Sequence, residues 1–79
     1  MDTLTKLKGL FAEMTEGEID TNKITPESTI FGDLGFSSMY ALWMVFAVER
    51  EFGVDLSNFM LDQSITVKDV CNYIDAEKK

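Results

Sequence analysis

Two adjacent serines stand directly before the longest amphipathic stretch of the chain, in the segment 33–39, which reads DLGFSSM. A glycine turn leading into a helix places their hydroxyls at the helix N-terminus, where backbone N–H groups lack partners and the peptide dipoles favour negative charge. A phosphate ester on one serine would be stabilised there without a basic side chain. The alternative is an ordinary N-cap, which contributes about 1 kcal/mol. Both interpretations stay open at this point, and Ser37 can be the cap even if Ser38 carries a group.

Other catalytic and metal-binding chemistry has little support in the composition. The chain has no histidine and one cysteine, which excludes an internal disulfide, a Cys/His zinc site and histidine-based acid–base catalysis. Its acidic residues do not form the Asp-x-Asp-x-Asp-Gly pattern of a calcium loop. Glu49 and Glu51 are two positions apart and do not face each other on a helix. We therefore predict a protein that is not an independent enzyme and binds no metal.

Length and charge restrict the class of protein further. Seventy-nine residues with 46% hydrophobic content make one small packed domain, which we place at 1–79. A net charge of −7 disfavours nucleic acid and anionic membranes, and it either attracts partners with basic patches or merely keeps the domain soluble. No apolar run approaches the length of a membrane span, and the start of the chain lacks a signal pattern. We expect a cytoplasmic monomer without membrane insertion.

Helical periodicity organises most of the chain. A first helix is predicted over 3–16, a second from Ser37 to Phe52 with Gly53 ending it, and a short turn of helix over 57–62. Thr66 opens the last helix, with Asp69 three residues later as a variant of the capping box. The crossover loop 17–36 carries apolar residues that can pin it to the core. The prediction is an all-α four-helix bundle, of three main helices and one short helix, with a long crossover between the first two.

One face of the last helix includes the single cysteine. Four apolar residues recur at the spacing i, i+3, i+4 and i+7, namely Val67, Val70, Cys71 and Ile74. Cys71 is therefore most simply a small buried hydrophobe rather than a reactive thiol.

Taken together, the order and spacing of these segments resemble the acyl carrier protein family. The segment 33–39 is similar to that family's Asp-Leu-Gly-x-Asp-Ser-Leu motif, with Ser37 in place of the second aspartate and Met39 in place of the final leucine. Further similarity extends over nearly the whole chain, through the segments 24–28, 31–35, 49–54 and 65–74. The resemblance implies that Ser38 bears a covalent 4′-phosphopantetheine arm.

The resemblance also implies a function and partners. A phosphopantetheinyl transferase would attach the arm, and its thiol would hold an acyl or aminoacyl group as a thioester for acyl-loading and acyl-transfer or condensing enzymes. Fatty-acid, polyketide and peptide pathways all use such carriers, and a D-alanyl carrier is a further alternative. From a different class, an unmodified helical protein-interaction module remains open.

The second helix departs from the resemblance on its outer face. Carriers of fatty acid synthesis usually have acidic residues there, whereas this chain has aromatic residues followed by Glu49. We expect an inward set formed by Met39, Leu42, Val45, Val48 and Phe52. Tyr40 and Trp43 should then point outward, whereas Phe46 is either exposed or buried. The predicted partner-contact residues, beside the arm on Ser38, are Ser37, Met39, Tyr40, Trp43, Phe46 and Glu49. This surface favours a specialised discrete carrier whose enzymes dock through apolar contacts.

Overall fold

Three α-helices form the framework of the structure, a computed structural model that describes residues 2–77. They are α1 (Thr3–Met14), α2 (Ser38–Phe52) and α3 (Val67–Glu77). A 3-10 turn (Thr21–Lys23) lies in the crossover between α1 and α2. Within residues 2–77 the only extended pairing is an isolated bridge between Thr29 and Thr66. The all-α prediction and the three main helices are confirmed.

Local signals determine where α1 begins and ends. The Asp2 carboxylate caps its first turn by accepting the Thr5 backbone N–H at 2.7 Å. The helix buries Leu7, Leu10, Phe11 and Met14 along one face. It stops two residues before the predicted end, because Glu16 and Gly17 adopt left-handed backbone angles, with φ of 54° and 83°.

The crossover is packed and bonded rather than loose. Ile24, Ile30 and Phe36 are buried in the same core as the helices. Its backbone is also joined to the start of α3, since the Val67 N–H donates to the Ser28 carbonyl and the Lys68 N–H to the Pro26 carbonyl, both at 2.9 Å. These contacts explain how a crossover of this length adopts a single conformation between α1 and α2.

The predicted short fourth helix is matched only loosely. Residues 57–62 form no helix in the structure. The Phe59 N–H donates to the Leu56 carbonyl at 3.0 Å in a single turn. Asp55 and Asp62 each accept the N–H two residues further on, at 2.9 Å. Such side-chain bonds offer the backbone an alternative to helical pairing, which is why the segment remains a series of turns.

The last helix follows the sequence prediction closely. Thr66 and Asp69 exchange bonds at its start, with the Thr66 N–H donating to the Asp69 carboxylate at 3.0 Å and the Asp69 N–H to the Thr66 hydroxyl at 3.2 Å. Cys71 is buried as expected. That burial, with smaller contributions from the Asp75 and Asp2 carboxylates, raises the pKa of the Cys71 thiol to about 11.

Candidate attachment site

The backbone before α2 delivers Ser38 to the surface at the start of the helix. Gly35 turns the chain with a φ of 71°, a conformation that favours glycine. Phe36 then anchors the turn, because its side chain is buried and its N–H donates to the Ile30 carbonyl at 3.1 Å. Ser37 is the N-cap, and Ser38 is the exposed first residue of α2.

The two serines have different structural roles. The Ser37 hydroxyl oxygen accepts the Tyr40 backbone N–H at 3.1 Å, which makes Ser37 the capping residue, as predicted. Ser38 is therefore not needed for the cap. The first turn of α2 contains no acidic side chain, so its N–H groups face no competing carboxylate from that turn. An anion esterified to Ser38 would be favoured there by the helix dipole.

Asp33 stabilises the approach to this turn. Its carboxylate accepts the Thr29 backbone N–H at 2.9 Å and the Thr29 hydroxyl at 3.3 Å. The Asp33 N–H donates back to the Thr29 hydroxyl oxygen at 2.8 Å. Glycine at position 32 leaves room for these bonds, since a Cβ there would lie 2.7 Å from the Thr29 hydroxyl oxygen and would displace it. The sequence prediction missed Thr29, although a threonine four residues before an aspartate in a loop is a recognisable local bonding pair.

The outer face of α2 is apolar. Met39 is 82% exposed, Trp43 50% and Phe46 59%, and Leu42 is exposed with them. The buried face of the helix lies on the opposite side and consists of Ala41, Met44, Val45 and Val48. The exposure expected for Trp43 is confirmed, and the question left open for Phe46 is answered by its exposure.

The expected inward orientation of Met39 and Leu42 was wrong. From Met39 to Val48 the predicted inward set ran in steps of three residues, and each such step falls about 60° short of a full helical turn. Met39 and Val48 consequently lie on opposite sides of α2. The core pattern of α2 is i, i+3, i+4 and i+7 from Ala41, and it begins with a small residue that adds little to an apolar stripe.

The outward orientation expected for Tyr40 was also wrong. Tyr40 is partly buried, and its hydroxyl donates to the Met14 carbonyl at the end of α1, at 2.7 Å. Its ring packs edge-to-face against Phe36 and Trp43, with centroid distances of 4.8 and 5.2 Å. Tyr40 therefore joins α1 to α2 instead of standing free on the surface.

Glu49 is likewise held by a hydrogen bond within the fold, at a partly buried position. Its carboxylate accepts the backbone N–H of the buried residue Leu56 at 2.8 Å. The bond ties the end of α2 to the segment that follows it, and Glu49 does not extend the outer face as a free charge. Among the predicted partner-contact residues, Ser37, Met39, Trp43 and Phe46 are exposed, whereas Tyr40 and Glu49 are partly buried.

Comparison with known proteins identifies the family. Residues 5–74 match the family described as "Phosphopantetheine attachment site". The acyl carrier protein of Helicobacter hepaticus is 33% identical over 78 residues, which cover 99% of this chain and 100% of that protein. The chain belongs to the acyl carrier protein family.

Membership settles the cofactor and the general role. Acyl carrier proteins hold their cargo on 4′-phosphopantetheine, and the family acts as a carrier rather than as a catalyst. The exposed serine and the unopposed helix N-terminus fit a phosphate ester. Within residues 2–77 no group of side chains is arranged to hold a metal ion, and no helix is long and apolar enough to cross a membrane.

Proposed function

We propose that Ser38 carries the 4′-phosphopantetheine arm of this acyl carrier protein. One observation carries the proposal: Ser38 is exposed at the first position of α2, while the neighbouring Ser37 is committed to the N-cap. A phosphopantetheinyl transferase would use the Ser38 hydroxyl as acceptor and coenzyme A as donor. The serine oxygen would form a bond to the phosphorus next to the pantetheine, the phosphoanhydride bond of coenzyme A would break, and adenosine 3′,5′-bisphosphate and the hydroxyl proton would leave. When bound, the arm supplies a thiol that holds an acyl or aminoacyl group as a thioester.

The chain's own contribution is to tether and orient. A tethered group is presented to each partner enzyme at an effective concentration in the millimolar range, provided that the arm reaches the partner's site. The packed crossover and the cap by Ser37 keep the arm's origin fixed at the start of α2. The cargo chemistry itself belongs to the arm and to the partner enzymes.

The attachment site is tested by intact-mass analysis after incubation with coenzyme A and a broad-specificity transferase. The wild type and Ser37→Ala should each gain one phosphopantetheinyl mass, whereas Ser38→Ala should gain none. Ser37→Ala is the matched control, because it removes a neighbouring hydroxyl and only weakens the cap, by about 1 kcal/mol. Gain by Ser38→Ala would refute the assignment, and no gain by the wild type would favour an unmodified interaction module.

We further propose that partner enzymes dock on the apolar outer face of α2. Met39 follows Ser38 directly, and Trp43 and Phe46 continue along the same side of the helix. This surface begins beside the arm proposed on Ser38, and exposed aromatic residues are frequent anchors of interfaces. Such a face favours a specialised discrete carrier of a polyketide or peptide pathway over fatty acid synthesis. We expect it to act as a cytoplasmic monomer.

The docking proposal is tested with Trp43→Ala in transfer assays with the protein's own partner enzymes. Loss of an interface anchor costs about 2 kcal/mol, roughly a thirtyfold loss of kcat/KM when docking is limiting. Met60→Ala is the matched control, because Met60 is 78% exposed but lies outside α2. Unchanged transfer by Trp43→Ala, with its fold verified by circular dichroism, would show that the face is not used.

A further inference from the structure

The methionine side chains of this protein are divided between the core and the surface. Within residues 2–77, Met14 and Met44 are buried, with 8% and 0% of their surface exposed. Met39 is 82% exposed and Met60 is 78% exposed. A thioether in water meets dissolved oxidants that do not reach one in a packed core. Among the described methionines, the fold therefore opens Met39 and Met60 to oxidation and protects the other two.

The single thiol of the chain is shielded from the same oxidants. Cysteine is oxidised through its thiolate, and susceptibility follows thiolate character and exposure. Cys71 is buried in the core, and this burial raises the pKa of its thiol to about 11. At neutral pH the side chain therefore remains a protonated thiol out of reach of solvent. The accessible sulfur atoms of the described residues are thus the two exposed thioethers.

The two exposed thioethers differ in their position relative to the proposed attachment site. Met39 follows Ser38 directly, in the first turn of α2. Trp43 lies one helical turn further on, so the Cβ atoms of the two residues are about 5–6 Å apart. Met39 thus forms the end of the apolar outer face that adjoins Ser38. Met60, in contrast, lies outside α2.

Oxidation by hydrogen peroxide changes the chemistry of such a side chain. A lone pair of the sulfur attacks one peroxide oxygen, the O–O bond breaks, an S–O bond forms, and the second oxygen leaves as water with both protons. The sulfur loses the two electrons that the peroxide gains. The product, methionine sulfoxide, is polar, and it costs free energy to bury it without a hydrogen-bond donor. A reductase supplied with a dithiol reverses the step, because the sulfoxide oxygen leaves as water while the dithiol becomes a disulfide.

From these observations, and resting on the attachment proposed above for Ser38, we propose that Met39 is a reversible oxidation site that regulates modification of this carrier. The thioether allows an enzyme to cover the outer face of α2 next to Ser38. The sulfoxide opposes that burial, and it therefore slows attachment of the arm by a phosphopantetheinyl transferase. Oxidation of Met60 has no such effect, because Met60 lies outside α2.

The experiment treats the protein without its arm with hydrogen peroxide, removes the peroxide with catalase, and then adds coenzyme A and a broad-specificity transferase. Peptide mass spectrometry locates each added oxygen, and it should find Met39 and Met60 oxidised before Met14 and Met44. Intact mass follows attachment of the arm with time. Oxidation should lower kcat/KM for attachment about tenfold, the effect of burying a polar group without a partner. Methionine sulfoxide reductases for both epimers, with dithiothreitol, should restore the rate.

Two matched variants assign the effect to one sulfur atom. Met39→Leu and Met60→Leu each replace a thioether by a side chain of similar size that this oxidation does not change. Each oxidised variant is compared with its own untreated sample. Peroxide should have no effect on the attachment rate of Met39→Leu, whereas it should still slow Met60→Leu about tenfold. Tm is measured on the same samples and should not change, because both side chains are exposed.

The outcomes separate this inference from the attachment proposal. No attachment to the untreated wild type overturns both. Attachment to the untreated protein, with Met39 oxidised no faster than the buried methionines, leaves Ser38 as the attachment site and refutes Met39 as an oxidation site. An unchanged rate after oxidation of Met39, or an equal loss in Met39→Leu, refutes the regulation. A lower Tm of the oxidised wild type would trace the loss to the fold and would refute the regulation as well.

Discussion

The hydrogen bond from the Tyr40 hydroxyl to the Met14 carbonyl joins the end of α1 to the beginning of α2, and its removal gives a sharp test of the structure. The other bonds that cap α1 reach the carbonyls of Phe11, Ala12 and Glu13. Tyr40 thus supplies a hydrogen-bond donor to the Met14 carbonyl, which those bonds do not reach. Tyr40→Phe keeps the ring and its edge-to-face contacts with Phe36 and Trp43, and it removes only the donor.

The expected cost follows from the geometry. The bond is 2.7 Å long and partly buried, and a hydrogen bond of this kind contributes about 0.5–1.5 kcal/mol net. We therefore expect Tyr40→Phe to lower the free energy of unfolding by about 1 kcal/mol. For a domain of this length that loss lowers Tm by about 4–8 °C.

Thermal and urea unfolding, followed by circular dichroism, measure this change. The matched control is Tyr73→Phe, because Tyr73 packs edge-to-face against Phe59 at 5.0 Å and its hydroxyl makes no hydrogen bond within residues 2–77. Tyr73→Phe should leave Tm within about 2 °C, since changes away from such bonds are usually below 0.5 kcal/mol. Equal Tm values for Tyr40→Phe and the wild type would refute the bond as a stabilising link between α1 and α2.

Three further predictions concern stability. Glu49→Ala leaves the buried Leu56 N–H without its acceptor and should lower the free energy of unfolding by about 1–2 kcal/mol. The control Glu51→Ala, at an exposed position, should change it little. Similar urea midpoints for the two variants would contradict this prediction. The pKa of the Cys71 thiol lies at about 11 instead of the usual 9.0, so the native state holds this proton to higher pH than the unfolded state, and stability should fall as the pH rises from about 9 towards 11. A Cys71→Ala variant should lose that component of the slope, and an identical pH profile would count against it. Finally, moderate salt should raise Tm by screening the self-repulsion of a chain with a charge of −7, and a flat Tm between low and moderate salt would oppose this prediction.

Much of the fold could be predicted because its signals are local. Gly53 does end α2, with a φ of 67°, and the bonds of Thr66 with Asp69 do open α3. Each of these signals acts within one helical turn. The segment 57–62 could not be assigned as easily, because short apolar runs carry no decisive period and the aspartate turns around them are equally local.

The sequence predicts which residue caps the helix at the candidate site, but not the direction in which the neighbouring side chains point. Capping by Ser37 follows from the residue type and its position before α2. The inward bond of Tyr40, however, joins residues 26 positions apart, so it depends on how α1 and α2 pack. The bond between Glu49 and Leu56 likewise depends on the path of the chain after Gly53, which no helical period encodes.

The apolar face of α2 also has a colloidal consequence. In the absence of an enzyme, Met39, Trp43 and Phe46 remain in water, and two such faces could cover each other. Molecules with a charge of −7 repel one another. The Debye length over which this repulsion acts falls from about 10 Å at 0.1 M salt to about 3 Å at 1 M. Molar salt should therefore promote self-association even while it stabilises each molecule, and light scattering should show larger particles for the wild type than for Trp43→Ala. The acidity of this carrier should then keep its molecules dispersed while the apolar face of α2 stays exposed to water.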